Sequence, residues 1–420
     1  MGFPPWIDLD AAVDRLSALS RAAPPGEPAR IILPGGAMEA IALAEAFAAR
    51  PERAAGLCFS GLFVPGVNRF DWAALHPAAR MEVGVPGADW AATIADGRTR
   101  WLPTHYSTAH RWLTRKGLAA QVLHLSPPGP DGLCAIGFSA DLAPGLAADG
   151  GFTLGLINPH VPEVAGAPRV RPDLCDALCE APAPLRLTPA AADGPAALVK
   201  AVAERVVDGA CVQIGIGRLP GAILRGLVGH RDLRMRSGLV GAELAALLDA
   251  GAIAEAPGAL VAGLVLGDAD FLARMAEEPR LRLAPVNETH DPARMAAEPA
   301  FFAINAALEA DLTGQINCEH AGGRRVSGVG GAMDFMRGAR ASPGGEAITM
   351  IQAQGRDGTS RIVRALAAAH VSIPRADADV IVTEFGAACL RHLDEGARAA
   401  AMIGLAPPDH RAALGEGGTA

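Results

Sequence analysis

Ala210-Cys-Val-Gln-Ile-Gly-Ile-Gly217, continued as Arg218-Leu-Pro-Gly-Ala-Ile-Leu-Arg225, is the stretch on which the fold turns. A short apolar run enters glycines and leaves in a helical pattern, with Pro220 in the first turn, where a missing N–H is tolerated. A βαβ unit opens in this way. The same pattern stands far upstream, where Arg30-Ile-Ile-Leu-Pro-Gly-Gly36 reads as a strand leading into a helix over Ala37–Ala48. Two such openings in one chain predict two halves of related α/β design.

Outward from these openings, strands are expected at Gln121–Leu125, Leu133–Phe138 and Phe152–Asn158 in the first half. The second half offers a helix over Ala196–Val207, a helix around Ala242–Ala250, a strand at Ala259–Leu266 and a helix after the Asp268 cap. Apolar runs follow at Ala347–Ala353, Arg361–Leu366 and Val380–Thr383, then a helix near Asp394–Met402 and a polar tail, Gly415–Ala420, expected to be disordered. Strands alternating with helices imply an α/β fold with largely parallel sheets. Between Pro168 and Pro189 the chain turns to Pro, Ala and charge without periodicity, so the domains are placed at residues 1–188 and 189–420.

The chain has 420 residues, which favours two or three domains. A net charge of −8 leaves no basic footprint for nucleic acid. The start, Met1–Asp8, has no basic region leading into an apolar core, and the longest apolar runs, such as Ala259–Leu266, are too short to span a bilayer. A cytoplasmic protein with no membrane or nucleic-acid partner is expected. The seven cysteines lack paired metal-type spacing and read as reduced thiols. His105, His110, His290 and His320 show no ligand spacing, so no metal is expected.

Two glycine-rich segments carry the chemistry. Gly215, Gly217 and Gly221 follow a strand and open a helix, a turn that presents backbone N–H groups to an anion or a developing oxyanion. Their spacing is one residue too long for a dinucleotide fingerprint, and Asp232 and Glu243 fit the ribose position poorly. The second segment, Asn305–Phe335, ends in Ser327-Gly-Val-Gly-Gly331 and reads as a loop-rich insertion at a sheet edge. It has no phosphate-loop lysine, which excludes a nucleoside-triphosphate site. A backbone-lined pocket is favoured over a glycine-rich bulge region, because a turn need not be this long.

Val212–Ile223, Ile304–Asn317 and Val326–Phe335 together resemble the acetyl-CoA hydrolase/transferase group of CoA-transferases, which includes 4-hydroxybutyrate CoA-transferase. Ser126-Pro-Pro with Asp131-Gly132, Val382-Thr-Glu-Phe-Gly386 and Ala406-Pro-Pro-Asp409 extend the resemblance over nearly the whole chain. It implies two similar open, largely parallel α/β domains with the active site between them. It also implies ping-pong chemistry, in which a glutamate attacks an acyl-CoA thioester to give an acyl-glutamyl anhydride and then a glutamyl-CoA thioester. Coenzyme A thioester would be the substrate, a small carboxylate the acceptor, with no permanently bound cofactor, in a homo-oligomer. Gly215, Gly217, Gly238, Asn305, Gly328, Gly330 and Gly331 would hold the thioester oxygen and the pantetheine arm.

The departure lies at the nucleophile. The 4-hydroxybutyrate transferases carry it in a His-Ser/Thr-Glu-Met run after the first glycine-rich helix. This chain has Met235-Arg-Ser-Gly-Leu-Val-Gly241, with Arg236 at the histidine and Gly238 at the glutamate. The succinate-using acetate transferases place theirs before an Asn-rich turn, where Asn287 holds the position and Glu288 falls one residue late. The expectation ranked first is an acyl-CoA:carboxylate CoA-transferase acting on an acetyl-, butyryl- or 4-hydroxybutyryl-like thioester, with Glu288 or Glu243 as the displaced carboxylate. A thioester hydrolase with water in the space left by Gly238 comes second, and a non-catalytic CoA-binding relative third.

Overall fold

The computed structural model describes residues 4–114, 118–142, 151–189, 194–215, 217–367 and 370–416. Two compact units divide the chain: Met1–Pro189 with Val261–Thr289, and Ala190–Leu260 with His290–Ala420. Val261–Thr289 thus falls in the first of these units. That segment hydrogen-bonds into the first unit, with Ala140 N donating to Gly263 O at 2.9 Å and Leu283 N to Gly166 O at 2.8 Å. The strand Leu260–Val265 and the helix Ala269–Ala276 form as read, and Asp268 caps the helix by accepting from Phe271 N at 2.9 Å.

The first unit is built on eight strands in the spatial order Trp6–Ile7, Ala177–Glu180, Phe152–Ile157, Leu118–Leu125, Ala29–Ile32, Leu57–Gly61, Arg80–Val83 and Thr99–Trp101. Every pairing among them is parallel. Leu57–Gly61 is buried throughout, as a parallel strand covered on both faces should be. Phe47, Phe59 and Trp72 close one side of the core, Phe59 standing 4.8 Å from Trp72 and 5.5 Å from Phe47. The stretch read as the domain boundary contains the strand Ala177–Glu180, whose pairing with Phe152–Ile157 supplies what its own short pattern lacks. The run Leu133–Phe138 contributes only Cys134–Ala135. The first glycine-led helix begins at Ile41 rather than Ala37, after the turn Gly36–Met38. Gly36 takes φ +62°, and Asn68 holds its backbone with bonds of 2.9 and 3.1 Å.

Six strands of the second unit run in the order Arg234–Val240, Cys211–Ile214, Phe301–Ala306, Glu346–Met350, Val380–Thr383 and Gly386–Cys389. They pair in parallel except for the last two, which form an antiparallel hairpin. Asn305 is the next-to-last residue of a central strand, so the segment read as a loop-rich insertion starts from the interior of the sheet. The short β structure read there does follow, as a small sheet of Ile316–Asn317, Glu309–Asp311 and Ile362–Val363. Asp394 caps the closing helix Glu395–Leu405, accepting from Ala397 N at 2.8 Å. Gly415 ends the helix Pro408–Gly415, and residues 417–420 of the expected tail lie outside the described residues.

Cys211–Ile214 has Arg234–Val240 on one side and Phe301–Ala306 on the other. The chain's strand order reverses at this point. In open α/β sheets, ligands bind beyond the carboxyl ends of strands at such a switch.

Candidate active site

Gly215 ends the switch-point strand, donating its N–H to Ile304 O at 2.9 Å. A Cβ at this position would meet Asn305 Oδ1 at 2.8 Å, so the backbone can pass the amide only as glycine. Asn305 is itself paired with Gln213: its Nδ2 donates to Gln213 Oε1 at 2.9 Å, and Gln213 Nε2 donates back at 3.3 Å. The two buried amides form a platform under the Gly215 turn. Gly217, at φ +120°, then starts the helix Arg218–Gly226.

The neighbouring strand contributes Gly238, one residue past Ser237, whose hydroxyl donates to Ile214 O at 3.3 Å. A Cβ at 238 would lie 2.6 Å from Cε1 and 2.8 Å from Nε2 of His290. The imidazole therefore stands where any side chain of residue 238 would begin. The ring of His290 is what borders the missing side chain at Gly238. On another element, Gly331 meets the same ring edge: its Cβ would fall 2.3 Å from Cδ2 and 2.4 Å from Nε2.

Gly331 is the N-cap of the helix Ala332–Ala341 and offers no side chain to the first amides. Gly330 precedes it at φ +54°, a left-handed turn that suits glycine. Helix N-termini carry unsatisfied N–H groups and a partial positive charge. Gly328 is buried in the loop leading into this cap. One turn into the helix, Phe335 packs on His290 with ring centroids 4.7 Å apart at 55°. Farther along, Gly338 lets the helix Pro292–Ala296 approach so closely that a Cβ at 338 would lie 2.4 Å from Met295 Cβ. The segment that carries His290 is thereby locked against the helix that carries Gly331.

Arg236, read from the sequence as standing at the histidine position, is held in an ion pair. Its Nη2 donates to Glu298 Oε1 at 2.8 Å, and Arg234 holds the other oxygen. Burial alone would raise the Glu298 carboxyl, but the Arg236 and Arg234 contacts outweigh it and hold the group below its ordinary value. This double clamp fixes the Gly238 strand to the chain just after Pro292–Ala296.

The two expected nucleophiles fall on separate elements. Glu288 lies on the helix Val286–Thr289 in the first unit, ion-paired with Arg282. Glu243 lies in the second unit at the start of Leu244–Asp249, its Oε2 folded back to 2.6 Å from where a Gly241 Cβ would stand. Cys318 is excluded as a ready thiolate, because burial, with Glu319 nearby, pushes its thiol up to about 12.

Sequence reasoning missed His290, which has no metal-type spacing; its signal was the pair of glycines that make room for it. It also missed Asp141 in the first unit, 6% exposed, with Oδ1 lacking a hydrogen-bond partner among the described residues. Burial pushes this carboxyl up to about 8.

The chain is similar to known CoA-transferases. Residues 267–417 match the acetyl-CoA hydrolase/transferase C-terminal domain. The 4-hydroxybutyrate coenzyme A transferase of Clostridium kluyveri is 29% identical over 332 residues, covering 76% of this chain and 77% of that protein. The succinyl-CoA:cyclohexane-1-carboxylate CoA transferase of Geobacter metallireducens is 34% identical over 269 residues, 62% of each chain. Among solved structures, RipA from Yersinia pestis superposes with a TM-score of 0.85 at 27% identity, covering 97% of this chain and 98% of that one.

Proposed function

This chain belongs to the acetyl-CoA hydrolase/transferase family of CoA-transferases, and from that premise we propose that it cleaves a short-chain acyl-CoA thioester with water as the acceptor. The observation that carries the reading is the relation of Gly238 to His290. Passing CoA through an enzyme thioester requires a carboxylate nucleophile, and at 238 the imidazole takes the space such a side chain would need. An imidazole can activate water. The glycine helix caps at Gly217 and Gly331 support an acyl-CoA ligand, because backbone N–H groups free of side-chain cover suit a thioester oxygen.

The test incubates the protein with acetyl-CoA, alone and with butyrate, and follows free thiol and butyryl-CoA together. Hydrolysis predicts thiol release matching acetyl-CoA loss, unaffected by butyrate. Butyryl-CoA formed in step with acetyl-CoA loss would instead establish CoA transfer. Transfer is the second reading, favoured by Glu288, an ordered carboxylate two residues before His290 and held by Arg282. A cytoplasmic homo-oligomer goes with either reading, and light scattering together with cell fractionation would test it.

A further inference from the structure

We propose that the stacked imidazoles of His320 and His370 form an acid-sensitive latch: neutral, they hold in place the hairpin that leads into the Gly330–Gly331 cap, and a proton on His320 releases it. The inference stands apart from the choice between hydrolysis and transfer. The two rings lie face to face, with centroids 4.1 Å apart and planes 11° from parallel. His320 belongs to a hairpin of His320–Ala321 with Arg324–Arg325, turned by Gly322 and Gly323 at φ +56° and +71°. His370 comes from another segment of the second unit, three residues before Ile373, which bridges Ile316. Past the hairpin, Val326 N and Ser327 N donate to Glu319 O at 2.7 and 3.2 Å, and the chain runs directly into Gly328–Gly331. A stack that pins His320 thus pins the approach to the cap.

The surroundings of His320 suit a neutral ring. Its Nδ1 is buried without a hydrogen-bond partner among the described residues. A neutral ring protonated at Nε2 leaves a lone pair there, whereas an imidazolium buries an N–H with no acceptor, the costlier state. The charge would also lie against the face of a second imidazole and beside Arg325, the cross-strand partner of His320. Glu319 favours the cation, but its carboxylate is already engaged. Its Oε2 accepts from Ser372 Oγ at 2.7 Å, and its Oε1 lies 3.8 Å from Arg325 Nη1. Cys318, its burial holding the thiol uncharged, adds no charge to the group. Desolvation first, then His370 and Arg325, hold the His320 imidazolium below its ordinary 6.5, against the pull of Glu319. The closed hairpin therefore binds fewer protons than an open one. Its stability is complete above 6.5 and is lost as pH falls below that value.

Hydrogen exchange of the full chain, read by mass spectrometry between pH 7.5 and pH 5 and corrected for the free-peptide rate at each pH, tests the latch. Peptides covering Cys318–Ser327 should lose about tenfold or more of their protection over that range, since uptake of one proton allows about a factor of ten per pH unit. Leu57–Gly61, in the first unit, should keep its own. His320→Phe presents a ring that stacks on His370 but takes no proton, and should hold the hairpin's protection within about threefold throughout. Wild-type protection that stays level overturns the latch, and so does a loss shared by Leu57–Gly61, which is general unfolding. An equal acid loss in folded His320→Phe assigns the proton to another group and overturns it too. If His320→Phe does not fold, His320→Gln, which also lacks a titrating ring, decides by the same criterion.

Discussion

Nε2 of His290 lies 2.8 Å from the point where a Cβ on Gly238 would stand, so the two residues exclude each other's side chains. Gly238→Ala should destabilise the protein by about 1–3 kcal/mol through overpacking, and His290→Gly should relieve most of that cost. A double-mutant cycle read by denaturant unfolding should then give a coupling of about 0.5–3 kcal/mol. Additive effects would mean that the ring moves aside freely.

The same exclusion sets the route back to CoA transfer. Gly238→Glu alone should fail, because the new side chain enters the imidazole. Gly238→Glu combined with His290→Gly has room for a carboxylate and should form butyryl-CoA from acetyl-CoA and butyrate. Transfer by the single variant would show that the ring yields.

Gly331→Ala tests the opposite face of the slot. With Cδ2 and Nε2 of His290 at 2.3 and 2.4 Å from the new Cβ, either the ring or the helix cap must shift. If the proposed thioester site lies here, the expected result is a fall in kcat of about tenfold or more with a smaller change in KM, because the imidazole and the helix cap lose their alignment.

Asp141 makes stability depend on pH in the direction opposite to an ion-paired carboxylate. Its folded value of about 8 exceeds the ordinary 3.8, so the native state binds more protons than the unfolded chain across that window. Its contribution to stability is therefore lost as pH rises from about 4 to about 8. Asp141→Asn should melt progressively higher than wild type over that range. A gap that does not widen between pH 5 and 8 would count against a buried neutral acid.

Glu298 works the other way. Its carboxyl is held below the ordinary 4.5, so its contribution is present above that value and is lost as pH falls through the lowered one. Glu298→Gln should lose about 1–3 kcal/mol at neutral pH, since hydrogen bonds to charged groups are of that order. The deficit against wild type should shrink on acidification, which melting curves at pH 7 and pH 3 would show.

The α/β class was legible because Cys211–Ile214 and Ala29–Ile32 each announce themselves by an apolar run ending in glycine. Both prove to be interior strands of their sheets. Ala177–Glu180 was not legible, since four residues carry no periodicity and its partners lie at Trp6–Ile7 and Phe152–Ile157. The grouping of Val261–Thr289 with the first unit rests on backbone bonds to residues more than a hundred positions away. At the site, the glycines could be read and their tenant could not. Gly238 looks like a deletion in one dimension and becomes an accommodation once His290 is beside it.

Gly338 stands two turns beyond Gly331 on the same helix. Its contact with Met295 acts as a shim behind the site. A bulkier residue at 338 would tilt the helix cap away from the imidazole without touching either. The spacing between the imidazole and the helix cap is thus set from the rear, and a change remote from both can retune it.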